Sequence, residues 1–277
     1  MDNSIFKEFN LEKVEDIILK YKLGSIVVKT KPAGTKLPTG SSKFGGFPDV
    51  NVDFKWPDKN GEKLSFICQF NLNDIKSYIP SDIKLRRYDG LISIFYLTSC
   101  EYWGYLPSHK GAWAVYYFEP DNLLQISTPN TRNLEIFKEC ALEYSQSDTF
   151  MPYFMSEKYF LDQLSEEEKD GYMELVGETN DFRHQLFGHY KSLQNDDLYE
   201  QAHAASHGFD CGNGLSDIYK NHPELNQDVD NWRLLFQLDH DDNAGIELGD
   251  AMLYFVIEKE RLEKLDFSNV WCNLESL

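Results

Sequence analysis

Oxygen-bearing side chains crowd one short stretch of this 277-residue chain. Asp239, Asp241, Asn243, Glu247 and Asp250 fall at positions 1, 3, 5, 9 and 12 of a calcium-loop pattern. The pattern fails at position 6, which is Ala244, and at position 12, which is Asp250 rather than glutamate, and no helices flank it. The stretch reads either as a cation site or as a hairpin loop that exposes its acids. Gln69 and Gln237 each sit inside an apolar run, LSFICQF and LLFQL. A buried amide has to find partners. Each glutamine therefore bridges loop backbone, or the two converge on a ligand. His203 and His207 are four residues apart on an expected helix, with Cys211 four further on. Zinc could use that face, but no fourth ligand is evident, and HAASH lacks the glutamate of HExxH. A surface helix is the alternative. The glycine-rich SKFGGFP of 42–48 lacks GK[ST] and precedes no clear helix. It suits a tight turn placing Phe44 and Phe47 in the core better than a phosphate cradle. No GxSxG occurs and no local signature singles out a nucleophile or a catalytic base. No catalytic residue and no cofactor are assigned. A cleft where carboxylates meet His184 or His189 would revive an enzymatic reading.

The acidic stretch needs two strands to hold it. Residues 231–257 read as strand, acidic turn, strand. Leu234, Leu235, Phe236 and Leu238 form one run, Met252 to Ile257 the other, with Gly245 and Gly249 between. A weaker copy lies earlier, at 66–71 and 90–96. In both, a Phe-Gly turn (44–47 and 187–190) precedes a glutamine-centred strand, which precedes an apolar strand after glycine. Gly45 to Gln69 spans 24 residues and Gly188 to Gln237 spans 49. The common order implies an ancient duplication. Elsewhere, 5–22 reads as amphipathic helix, split in two if Asn10 caps a helix from Leu11. Residues 31–49 are a Gly/Pro-rich loop. Residues 71–78 are a short helix, and 103–105 and 112–118 suggest further antiparallel strands. Residues 131–180 read as mostly helical and acidic, with a helix start at Ser165. Asp196 to Ser206 looks helical, and Arg261 to Ser268 closes the chain as a short helix or turn.

Composition bounds the rest. Aromatics make up 14% of the chain, with 19 Phe, 16 Tyr and 5 Trp, which favours sheet over helical bundle. The net charge is −19 and uneven: residues 1–138 carry 18 Lys+Arg against 16 Asp+Glu, residues 139–277 carry 9 against 30. A half at −21 repels nucleic acid and anionic membranes, and attracts basic partners or cations. Simple solubility is the plainer reading of the same charge. The five cysteines, Cys68, Cys100, Cys140, Cys211 and Cys272, are odd in number and form no CxxC. The N-terminal residues do not read as a signal peptide, and no apolar run approaches a membrane span. A cytoplasmic protein with free thiols is expected.

The segments SKFGGFPDVN, LSFICQFNLNDI, GLISIFYL, HQLFGHYKSLQ, WRLLFQLDHDD and GDAMLYFVI together resemble the YwqG-like family, a domain of unknown function (DUF1963). Gly45, Gly46, Pro48, Trp56, Pro57, Gln69, Asn71 and Gly90 match its motifs, as do Gly188, Tyr190, Gln194, Trp232, Gln237, Asp239, Asp241, Gly249, Asp250, Tyr254 and Phe255. Leu248 stands where the family has tryptophan, and Ala251 and Met252 where it has glycine after Asp250. The resemblance implies a bacterial, intracellular protein with an α+β fold rich in antiparallel strands, and members are suspected of roles near toxin systems. It brings no catalytic residues.

The expected architecture is one domain over 1–277, an α+β fold of mainly antiparallel β-sheets with peripheral helices. It comprises two pseudo-repeated halves, about 24–120 and 183–260, and an acidic helical insert at about 131–180. The expected function is a non-enzymatic binding protein. One form is an immunity-type protein that seats its acidic half on a basic partner such as a toxin. The other is a small-ligand or cation binder with a site between the halves, drawing on Gln69, Gln237, Asp239, Asp241 and Asp250. Neither nucleic acid nor membrane is an expected partner.

Overall fold

The computed structural model describes residues 4–98, 102–131, 134–194, 197–212 and 214–277. Among them are fourteen strands. The first eight are β1 (Leu23–Pro32), β2 (Lys43–Phe44), β3 (Asp49–Val50), β4 (Asp58–Lys59), β5 (Glu62–Lys63), β6 (Ser65–Asn71), β7 (Leu91–Tyr96) and β8 (Trp113–Phe118). Then come β9 (Leu124–Gln125), β10 (Cys140–Thr149), β11 (His184–Leu186), β12 (Trp232–Leu238), β13 (Ala251–Glu258) and β14 (Trp271–Ser276). The α-helices are short: α1 (Ser4–Glu8), α2 (Glu15–Leu19), α3 (Leu72–Ile75), α4 (Tyr153–Ser156), α5 (Glu166–Thr179), α6 (Leu198–Ser206), α7 (Ser216–Asn221) and α8 (Lys259–Glu263). The expected α+β class, mainly antiparallel, is what the chain adopts. No helix among the described residues is long and apolar enough to cross a membrane.

Ten strands form one antiparallel sheet in the order β14-β13-β12-β11-β1-β10-β2-β6-β7-β8. Its middle is the β1–β10 pair, in register from Leu23 opposite Thr149 to Pro32 opposite Cys140. β1 hands on to β11, β12, β13 and β14, and β10 to β2, β6, β7 and β8. The sheet curls until its outer edges nearly meet. Trp113 of β8 donates its indole N–H to the Val270 carbonyl at 2.8 Å, and its ring lies 5.0 Å from that of Trp271 on β14. The loop after β7 covers the seam: Trp271 Nε1 donates to Gly104 O at 2.6 Å, and Leu274 N to Trp103 O at 3.1 Å. Two edges that would otherwise offer unpaired backbone are thus covered. Inside, Phe44, Phe70 and Phe236 meet edge to face, with centroids 5.0–6.3 Å apart, an arrangement aromatic quadrupoles favour.

Several expectations need correction. Phe44 is buried, but Phe47 is 39% exposed and does not enter the core, and 103–105 is loop rather than strand. The segment at 131–180 is not a helical insert. It supplies β10, half of the central pair, and only α4 and α5 are α-helical there. β10 was illegible because just Cys140 and Thr149 at its ends are fully buried. Its acidic, polar middle (Leu142-Glu-Tyr-Ser-Gln-Ser-Asp148) lacks the apolar run that announces a strand. The chain also does not close on the turn at 261–268; β14 follows it. The N-terminal segment does form two helices, but Asn10, with φ of 57°, caps no helix from Leu11: α2 begins at Glu15, after Val14. The start of the Asp196–Ser206 helix lies outside the described residues, and α6 begins at Leu198.

The glutamine strands correspond locally. Gln69 Oε1 accepts from Asp49 N at 2.9 Å and its Nε2 donates to Ser41 O at 2.7 Å. Gln237 Oε1 accepts from Lys191 N at 3.0 Å and its Nε2 donates to Phe182 O at 2.6 Å. Both strands slip register just before the glutamine, between Phe66 and Cys68 and between Leu234 and Phe236. Gly45 N bonds Ile67 O as Phe187 N bonds Leu235 O. Phe187, at φ 61°, therefore stands in Gly45's place, and matching the two Phe-Gly pairs by sequence is out by one residue.

The seam depends on Gly104. Its φ is +93°, and a Cβ there would lie 2.1 Å from the Cys272 carbonyl oxygen. Gly61 has a similar φ of +85° with nothing near it. Gly61→Ala should therefore cost only the left-handed strain, about 1–2 kcal/mol. Gly104→Ala adds a backbone clash and should cost clearly more, read as a larger loss of urea midpoint.

Candidate functional site

The acidic stretch folds upon Asp241. Its N–H and carbonyl both bond the backbone of Ile246 at 2.9 Å, and its carbonyl also accepts from Gly245 N at 2.8 Å. Its carboxylate does the rest. Oδ1 accepts from Ala244 N at 2.7 Å. Oδ2 accepts from the Thr30 hydroxyl of β1 at 2.6 Å and faces His184 Nε2 of β11 at 3.0 Å. His184 Nδ1 accepts from Asp239 N at 3.3 Å, so its proton resides on Nε2 and is donated to Asp241. Burial by itself raises the Asp241 pKa, but the bonds from His184, Thr30 and Ala244 outweigh it and hold the carboxyl below its ordinary value.

This anchor lays 246–250 across one side of a cavity of about 450 Å³. The walls come from both wings of the sheet: Ile67 on β6, Tyr96 on β7, Leu238 on β12, Leu253 on β13 and Leu274 on β14. Phe137 closes another side. It is placed by backbone bonds from Gly46 N to Phe137 O at 2.9 Å and from Lys138 N to Ala244 O at 2.8 Å. The charged side chains lining the cavity are Glu135, Glu247 and Asp250, all exposed at the rim, with no Lys, Arg or His among the lining residues. The volume falls within the range of small-molecule sites, roughly 300–1,000 Å³.

Of the five residues read as ligand-binding, only Asp250 lines this cavity. Asp241 builds the loop beside it. Asp239 turns its carboxylate to His240 N and Nδ1, at 2.6 and 3.1 Å. Gln69 and Gln237 are fully buried and hold loop backbone, the structural alternative of the two readings. No three His, Cys, Asp or Glu side chains among the described residues are grouped to hold a metal ion: the Asp241 carboxylate is taken up by Ala244, Thr30 and His184, while Glu247 and Asp250 are exposed. His203 accepts from Trp232 Nε1 at 2.9 Å, and His207 Nδ1 lies 2.8 Å from the His203 carbonyl.

His184 and Asp241 do converge beside an open groove, yet both imidazole nitrogens are committed to the loop anchor. His189 bonds Tyr21 O through Nε2 at 2.7 Å, and burial lowers its pKa to about 4. Cys68, Cys140, Cys211 and Cys272 are free and buried. Burial raises Cys140 to about 11 and Cys211 to about 12, which keeps them as poorly nucleophilic thiols. Cys100 lies outside the described residues. Sequence reading missed Glu135 and Phe137, which reach the cavity from a segment read as helix. It also missed Tyr96, which carries no signal beyond an apolar strand, and Leu274, which lies in β14, beyond the turn read as closing the chain.

A nearly closed antiparallel sheet with an apolar, acid-rimmed cavity defines the class of protein. The chain belongs to the family described as Domain of unknown function (DUF1963), whose profile matches residues 42–275. No curated protein matches the chain closely enough to count as a relative.

Asp241 is the residue to titrate. Its folded pKa lies below the ordinary value of 3.8, so its stabilisation is complete above the unfolded pKa and fades as pH falls through the lower folded one. Asp241→Asn should cost about 1–3 kcal/mol at pH 7. Urea unfolding should show the gap to wild type constant near neutrality and closing in acid.

Proposed function

We propose that the protein is a non-enzymatic binder of small amphipathic cations, organic amines with an apolar body. The observation that supports this is the match between an apolar cavity and a rim whose charges are all negative. The body would displace water from Leu238, Leu253 and Leu274, worth about 0.8 kcal/mol per buried methylene. The ammonium would rest among Glu135, Glu247 and Asp250. This keeps the expected cation preference and a site drawn from both wings, and retains Asp250 from the residues first singled out. The duplication of the two wings belongs to the same proposal, supported by the matching glutamine bonds. So does a cytoplasmic setting, supported by four buried free thiols.

A second reading remains a basic protein partner, such as a toxin, steered onto the acidic half. The net −21 of residues 139–277 favours it. The two differ in what a small probe does.

Calorimetric titration with octylamine, octanol and octanoate separates them. An exposed carboxylate contributes up to about 1 kcal/mol, so three should favour amine over alcohol by roughly tenfold or more. Glu135→Gln, Glu247→Gln and Asp250→Asn together should erase that preference, and Leu253→Trp should block all binding. Equal affinity for amine and alcohol would overturn the cation reading. No binding of any probe would leave the protein-partner reading as the better one.

A further inference from the structure

A second cavity, of about 250 Å³, lies away from the acidic loop, and its charge runs against that of the molecule. Lys20, Lys158 and Arg233 line it, against Glu200 and Asp230. In a chain of net −19 this is a mixed lining with a positive excess of one. The cations differ in their engagement. Lys158 is paired with Glu200 Oε1. Arg233, half-buried, has no carboxylate partner among the described residues. Its Nη1 instead donates to the Asp230 and Trp232 carbonyls at 2.6 and 2.7 Å. Asp230 directs its carboxylate to the Tyr159 hydroxyl at 2.6 Å. A guanidinium so placed has donors to spare for a planar anion.

The same walls hold two buried acceptors lacking a donor. Glu200 Oε2 and His189 Nδ1 have no hydrogen-bond partner among the described residues. His189 bonds the Tyr21 carbonyl through Nε2, which fixes the proton there and leaves Nδ1 a bare lone pair. Burial holds its pKa near 4, so it is neutral near pH 7 and cannot serve as a cation. Buried polar atoms without partners are uncommon and call for an explanation. Between the charged groups the lining is apolar and aromatic: Met151, Met155 and Val229, with Tyr21 and Tyr199. A dry cavity of about 150 Å³ holds one benzene, so this volume suits one small side chain plus a polar head.

We propose that this second cavity binds a free amino acid with an apolar side chain. Its carboxylate would meet Arg233 and its ammonium would meet Glu200 and His189. The methionines and tyrosines would hold the side chain. A simple anion would leave the two acceptors unmet, and a simple amine would leave Arg233 unmet. The zwitterion meets both, which separates this site from the amine preference of the acid-rimmed cavity.

The test is titration of the full chain with leucine, methionine and phenylalanine, each also as its N-acetyl and its amide derivative. Saturable binding of a free amino acid, at least about tenfold tighter than either masked form, is expected. Arg233→Met and Glu200→Gln should each weaken it about tenfold, and Met151→Trp should abolish it by filling the space. Glu247→Gln, in the other cavity, should leave it unchanged. Thermal melts would report whether each variant folds. If Arg233→Met does not, Glu200→Gln, which preserves volume, decides. No saturable binding of any of the three at millimolar concentration would overturn the proposal. So would a masked form binding as tightly as the free one, or binding that survives Met151→Trp.

Discussion

The antiparallel pairing of β1 with β10 is the constraint on which the rest of the molecule depends. Ten residue pairs join two wings of four strands each, and every further strand of the ten-stranded sheet is positioned through one or the other. The pairing is long in sequence, since Ser25 and Ser147 are opposite each other. Folding must therefore close a loop of more than a hundred residues before the wings can meet. Once they do, curvature brings Trp113 and Trp271 together, and the cavity between the wings follows from that closure.

Polar burial is the second organising constraint. Lys43 and Asp49 are both fully buried, 2.9 Å apart. Gln69 Nε2 and Gly40 N also donate to the Asp49 carboxylate, at 2.7 and 3.0 Å. A buried pair is stabilising only when its remaining hydrogen-bonding capacity is met, and losing one partner leaves the other uncompensated. Gln237 and Asp241 follow the same logic in the other wing. The residues that match the family's motifs are largely such fixtures. Trp56 donates its indole N–H to Leu64 O at 2.8 Å, and Tyr254 its hydroxyl to Lys191 O at 2.7 Å. They hold turns against strands, while the cavity walls are made of ordinary strand residues.

That division explains what could be read in advance. The hairpin of β12 and β13, the strands β6 and β7, and the tie of each glutamine to loop backbone were legible. Each is written locally, as an apolar run, a turn, or an amide with nowhere polar to go. β10 was not, because its partners lie far away in sequence and its middle is amphiphilic without being apolar. Asp241 was flagged as an oxygen ligand, and its carboxylate accepts hydrogen bonds from Thr30, His184 and the loop's own backbone.

The sequence by itself determined the antiparallel class, the acidic character of the second half, the family, and the buried glutamines. The class, the charge and the glutamines follow from composition, period and spacing, which act over a few residues, and the family from the resemblance of its short motifs. Only the tertiary structure decided which residues share a cavity. Glu135, Glu247 and Asp250 come from loops more than a hundred residues apart, and Lys20, His189 and Arg233 from three separate segments. Their proximity is set by sheet order and curvature, which are properties of the whole chain.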